Sequence, residues 1–238
     1  MEIILKILRN IEGKEFYQSF RYETKTDSDT VATALTDLNT EVSLKDIDGN
    51  AAPPILWDCN CLQKRCGACA MVINGRPGLA CASRFDDLTG GSVVTLEPLK
   101  KFPLIGDLMV DRSVMHQNLQ DLNVWLSEKS AESLQDTELN YEASRCLQCG
   151  CCLEVCPNFS VENAFTGMAS AVPMTRILSE EGKNSSKAKG YVKKVYEGCG
   201  KSLACRNICP AEIDIERMLV NSNAIAVWKR MHRRKEKK

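Results

Sequence analysis

The sequence predicts an α+β chain in two parts, a sheet-rich N-terminal part and a helical C-terminal part. Three observations predict it. Ile3, Leu5 and Ile7 alternate with Ile4, Lys6 and Leu8 in the period of a strand. Cys61, Cys66 and Cys69 form C-x4-C-x2-C, with Cys81 following. Cys146, Cys149, Cys152 and Cys156 form C-x2-C-x2-C-x3-C before Pro157, and the register returns as Cys199, Ser202, Cys205 and Cys209 before Pro210.

In chain order, a second strand is expected over Phe16–Tyr22, with Phe16, Gln18, Phe20 and Tyr22 on one face and Gly13 marking the turn before it. Ser28 or Asp29 is placed to cap a helix carrying Val31, Ala34, Leu35 and Leu38 on one side. A hairpin and then a helix ahead of a cysteine loop is the order of a ubiquitin-like (β-grasp) plant-type ferredoxin domain. The loop has the plant-type [2Fe-2S] spacing, so Cys61, Cys66, Cys69 and Cys81 are its candidate ligands. The Asn74-Gly75 pair predicts a hairpin that returns Cys81 to the loop. Gly67, Ala68 and Ala70 are small enough for backbone N–H groups to approach the sulfurs. Cys59 reads as a small buried side chain. A zinc knuckle is the competing reading of the same spacing.

Val93–Leu96 closes the predicted sheet, and Pro98, Pro103 and Gly106 punctuate a connector over residues 98–112. The expected domains are 1–105 and 106–238. From Ser113 the pattern turns helical, with Leu119, Leu122, Trp125 and Leu126 toward a core; a second helix runs from about Thr137 into Cys146. Residues 182–186 read as a surface loop, and a last helix after Pro210 carries Ile213, Ile215, Met218 and Leu219.

The double run is the bacterial ferredoxin pattern, an α-helical bacterial-type domain in which the fourth cysteine of each run serves the other cluster. That allots Cys146, Cys149, Cys152 and Cys209 to a [4Fe-4S] cluster. It leaves Cys156, Cys199 and Cys205 for the second, and three thiolates suit a [3Fe-4S] cluster. A serine oxygen can ligate iron, so Ser202 is a candidate extra ligand and a second [4Fe-4S] cluster is the alternative. Cys151, off the ligand spacing, reads as packing.

Composition narrows the function. Lys+Arg and Asp+Glu both number 31, so no nucleic-acid partner is expected. Thirteen cysteines at metal-ligand spacings, with no signal peptide evident, favour a reducing compartment. His116 and His232 are the two histidines, and neither stands beside a cysteine, so no Rieske centre is expected. No stretch nears the roughly 18 apolar residues of a spanning helix. The basic tail, Lys229 to Lys238, reads as a solvated end or a contact with anionic lipid. There is no G-x-G-x-x-G after a strand, so any flavin and substrate chemistry belongs to another polypeptide.

The order of these motifs resembles the iron–sulfur subunit of succinate dehydrogenase and fumarate reductase. The resemblance extends to Asn74–Cys81, to Pro98-Leu99 and to the connector Phe102–Asp111. It implies an electron-transfer subunit of an oxidoreductase, without a substrate site of its own. Its implied partners are a FAD-containing succinate/fumarate subunit and a membrane anchor with a quinone, and its implied place is peripheral, at the cytoplasmic face of the inner membrane. The chain departs from the family at Leu62 and Lys64, where members have Arg and Gly. It departs again at Ser160 and Val161, where many quinone-linked members have two tryptophans, and at Gly200, where they have His. These departures point to menaquinone or to an anchor-light arrangement rather than to a quinone site built as in those members. A soluble thiol-linked fumarate reductase is the second enzyme reading; such proteins continue into a further cysteine-rich domain, which this sequence lacks. A non-redox zinc scaffold is the third.

Overall fold

The computed structural model describes residues 1–88, 91–126, 136–181 and 186–228. Of the expected loop at 182–186, residues 182–185 lie outside them, as does the basic tail from Lys229, while Ser186 opens a helix. The chain divides into two units, Met1–Asp111 and Arg112–Lys238.

In the first unit, β1 (Glu2–Ile11) pairs antiparallel with β2 (Lys14–Glu23), and the register sets Ile3 against Tyr22, Leu5 against Phe20 and Ile7 against Gln18. These six share a face, and Ile3, Leu5, Ile7, Phe20 and Tyr22 are buried while Phe16, near the hairpin turn, is exposed. Helix α1 (Val31–Thr40) turns Val31, Ala34, Leu35 and Leu38 inward. Its cap is Thr30, in a reciprocal capping box with Thr33, and not Ser28 or Asp29. Asp29 is occupied instead by Tyr22, Lys25 and Thr26, whose donors, that of Thr26 first, hold its carboxyl down at about 2.

β3 (Ala70–Ile73) and β4 (Arg76–Leu79) form the expected hairpin. Its turn residues Asn74 and Gly75 have φ of 48° and 75°, the pair of positive values a two-residue hairpin turn requires. β5 (Val93–Glu97) runs parallel to β1 and antiparallel to β3, giving the order β2-β1-β5-β3-β4.

The first unit extends past residue 105 because the expected connector is folded into it. β6 (Leu104–Gly106) and β7 (Met109–Val110) make a small hairpin whose Asp107 reaches back into the sheet. Asp107 accepts from the backbone N–H of Asn10 at 2.8 Å and of Leu56 at 2.9 Å, and pairs with Arg9 Nε at 3.1 Å. Arg9 is fully buried, at the end of the Ile3-Leu5-Ile7 face. Its guanidinium also donates to Gln18 Oε1 and to the carbonyls of Pro53 and Pro54, and it lies over the Phe20 ring.

The second unit is helical: α2 (Ser113–Asp121), α3 (Thr137–Ser144), α4 (Cys151–Glu154), α5 (Met168–Glu181), α6 (Ser186–Tyr191), α7 (Ala204–Ile208) and α8 (Ile215–Asn223). No helix was expected over Met168–Glu181, yet α5 is the central element, packed against α2, α3, α4, α6 and α8. Pro173 sits inside it, and Ala169, Ala171, Val172, Met174 and Leu178 are buried on it. Ile213, Ile215, Met218 and Leu219 join the same core as expected. Trp125 does not. Helix α2 stops at Asp121, Leu122 takes the core position, and the Trp125 side chain is left 51% exposed.

Candidate iron–sulfur sites

The loop at 61–69 is wound so that backbone N–H groups face sulfur. Gln63 and Arg65 donate to Cys61 Sγ at 3.4 and 3.3 Å, Lys64 to Cys81 Sγ at 3.3 Å and Ala68 to Cys66 Sγ at 3.4 Å. Of these four donors, only Ala68 was expected from the sequence to donate. Leu62, Lys64 and Gly67 adopt positive φ of 52°, 56° and 74°, and these left-handed residues turn the N–H groups inward. Cys69 Sγ lies 3.3 Å from Cys81 Sγ, so the hairpin does return the fourth cysteine to the third.

Electrostatics set Cys61 apart from Cys69. The Gln63 N–H, with help from Cys66, draws Cys61 down to about 7, whereas burial pushes Cys69 up to about 12. Iron binds thiolates, so a cluster here must displace protons that burial otherwise holds in place. Cys59 is exposed, not buried as the sequence reading has it.

Lys64, at φ 56°, takes the left-handed turn in spite of its side chain. A side chain in that conformation costs roughly 1–2 kcal/mol. We therefore expect Lys64→Gly to stabilise the first unit by about 1 kcal/mol and to slow loss of the cluster chromophore on heating. An unchanged or lowered melting temperature would count against the strain.

In the second unit, Cys146, Cys149, Cys152 and Cys209 line one cavity, enclosed by Met168, Ala169, Val172 and Pro210 among others. Gly150, at φ 89°, makes the sharp entry into α4 between the second and third of these cysteines. Burial, then repulsion from Cys149, Cys146, Cys205 and Cys209, raises Cys152 well above an ordinary thiol. Cys149 is drawn down to about 7, first by a hydrogen bond from Cys151, with Arg112 contributing as a nearby cation. Cys151 is fully buried, in keeping with a packing role, and its thiol also donates to the candidate ligand Cys149.

Cys205 is pushed up to about 11 by burial and then by the neighbouring thiols of Cys156 and Cys199. Ser202 is exposed, between Lys201 and Leu203, both at φ 56°. Gly200 has Asn158 packed on it: a Cβ there would lie 3.0 Å from Asn158 Nδ2, which is itself held by the Gly198 carbonyl at 2.7 Å. Beside Cys199 opens a pocket of about 220 Å³, lined by Tyr196, Lys201, Leu203, Leu219 and Trp228 among others.

Both sulfur sets fit a multi-iron core by the chemistry of their donors. Crowded thiols repel one another as they ionise, and bound cations relieve that repulsion.

A family model described as a 2Fe-2S iron-sulfur cluster binding domain matches residues 4–117, and one described as a 4Fe-4S dicluster domain matches residues 142–213. The succinate dehydrogenase iron-sulfur subunit of Bacillus subtilis is 33% identical over 181 residues, covering 71% of this chain and 71% of its own. The chain belongs to the succinate dehydrogenase/fumarate reductase iron–sulfur subunit family.

Membership makes it the iron–sulfur subunit of an oxidoreductase, with a [2Fe-2S] domain ahead of a 4Fe-4S dicluster domain. The fumarate reductase iron-sulfur subunit of Wolinella succinogenes is 29% identical over 179 residues, 69% of this chain and 74% of that one. A chain of the Mycobacterium smegmatis Sdh1 complex has the same fold, with a TM-score of 0.74 over 94% of this chain and 96% of that one, at 21% identity. An uncharacterised iron-sulfur protein of Methanocaldococcus jannaschii is 32% identical over 168 residues, which are 68% of this chain but 33% of that protein.

Proposed function

We propose that this subunit carries electrons one at a time between a FAD-containing succinate/fumarate subunit and menaquinone at a membrane anchor, lying peripherally at the cytoplasmic face of the inner membrane. Cys61, Cys66, Cys69 and Cys81 hold [2Fe-2S]; Cys146, Cys149, Cys152 and Cys209 hold [4Fe-4S]; Cys156, Cys199 and Cys205 hold [3Fe-4S]. When bound, such clusters accept and release single electrons, which lets a two-electron flavin reaction meet a one-electron path. The observation that carries the reading is Cys209, from the second run, lining one cavity with three cysteines of the first.

The chain's own residues set the terms. The N–H groups of Gln63, Lys64, Arg65 and Ala68 stabilise negative charge on sulfur. The largely apolar opening beside Cys199 suits a hydrophobic acceptor near the [3Fe-4S] ligands. No helix among the described residues is long and apolar enough to cross a membrane.

The test is spectroscopic. The oxidised protein should give the near-isotropic EPR signal of a [3Fe-4S] cluster. Ser202→Cys should convert that site to [4Fe-4S] and lower its potential, because a fourth thiolate adds negative charge. A second reduced [4Fe-4S] signal in the unaltered protein, without the oxidised signal, would make Ser202 or another group a ligand.

The second reading is a thiol-linked fumarate reductase. On this reading a separate subunit supplies the further cysteine-rich domain. Co-purification with a cysteine-rich subunit in place of a membrane anchor would decide for it.

A further inference from the structure

Inside α5, the carbonyl of Ala169 lacks its ordinary partner. In an α-helix it accepts from the N–H four residues on. That residue is Pro173, which has no N–H. The missing donor comes from another segment: Gln148 Nε2 lies 2.7 Å from Ala169 O. The same nitrogen lies 3.2 Å from Cys146 Sγ. A primary amide has two N–H groups, one for each acceptor. Reversing the amide would set its oxygen against a carbonyl and a thiolate, so the contacts themselves fix which end faces them. Gln148 Oε1 is buried and meets no donor among the described residues. Its backbone is left-handed, with φ of 49°. A space-filling side chain needs none of this.

We infer that Gln148, anchored on the carbonyl that Pro173 leaves free, donates a hydrogen bond to the Cys146 thiolate and thereby raises the reduction potential of the [4Fe-4S] cluster. Gln148 is a positioning residue that acts through Cys146, and the inference rests on the ligand set proposed above. Reduction adds negative charge, part of which resides on the ligand sulfurs. A donor aimed at one of them therefore stabilises the reduced form more than the oxidised form. Because the second N–H is fixed on Ala169, the amide needs no rearrangement when the electron arrives.

The experiment is a dye-mediated redox titration of the full chain, followed by EPR of the reduced cluster. Gln148→Met should lower the [4Fe-4S] midpoint at unchanged iron content. Gln148→Glu should lower it further, since a carboxylate brings like charge to the thiolate. Pro173→Ala restores an N–H that competes for Ala169 O, and should lower the same midpoint by less. The other two midpoints should stay in place.

Wild-type midpoints in the Met and Glu variants would overturn the inference. So would variants that lose iron or stability while the retained cluster keeps its wild-type midpoint, because a purely structural role predicts that outcome. A shift confined to the other helical-unit cluster would refute the ligand set, and with it this assignment; Cys146→Ser, scored by which cluster signal disappears, checks that set separately.

Discussion

Replacing Asp107 by alanine is expected to destabilise the first unit by about 3–5 kcal/mol, because it leaves the Arg9 charge buried without a partner. Arg9 and Asp107 have side chains only 1% and 4% exposed. The loss also frees the N–H groups of Asn10 and Leu56, and so unpins the β6–β7 hairpin from the sheet. Arg9→Ala should cost a similar amount, since four further contacts of its guanidinium go with it. The double change to Met and Leu should cost less than the sum of the single changes, because no unpaired charge remains. Chemical denaturation of the isolated variants measures all three. Single changes costing under about 1 kcal/mol would mean that water reaches the pair.

The second large effect concerns the crossing of the two cysteine runs. Cys209→Ala should abolish the [4Fe-4S] signal and spare [3Fe-4S], although Cys209 follows Cys205 closely in the chain. Cys156→Ala should do the reverse. EPR and iron content of each variant distinguish the outcomes. If each substitution removed the cluster of its own run, the crossed assignment would be wrong, and Cys209 would line its cavity for another reason.

Much of the fold was legible because its signals are local. The strand alternation at Ile3, Leu5 and Ile7, the Asn74-Gly75 turn and the apolar stripe of α8 need no knowledge of distant residues. Legibility failed where a distant partner decides. Arg9 reads as the wet end of a strand until Asp107 arrives from the far end of the unit. Helix α5 was hidden by Pro173 and by small residues that bury well only because other helices surround them. Thr30 caps α1 because Asp29, the better-looking candidate, is taken by Tyr22, Lys25 and Thr26.

The sites follow the same division. The candidate ligands could be read from spacing. The N–H donors of Gln63, Lys64 and Arg65 could not, because they depend on left-handed backbone at Leu62 and Lys64, where the sequence offers no glycine. Gln148 was equally hidden: its role exists only where Pro173 leaves a carbonyl free.

The shared cavity of Cys146, Cys149, Cys152 and Cys209 has a consequence for the life of the empty chain. Whatever joins those four sulfurs cross-links the chain from Cys152 round to Cys209, with α5, α6 and the intervening segments inside the loop. On the chain-entropy account, closing a loop of that size removes roughly 4 kcal/mol of disorder from the unfolded state. The helical unit should therefore be far easier for proteases to cut before iron arrives than after. Iron supply would then set how much of the subunit survives as well as how much of it is active.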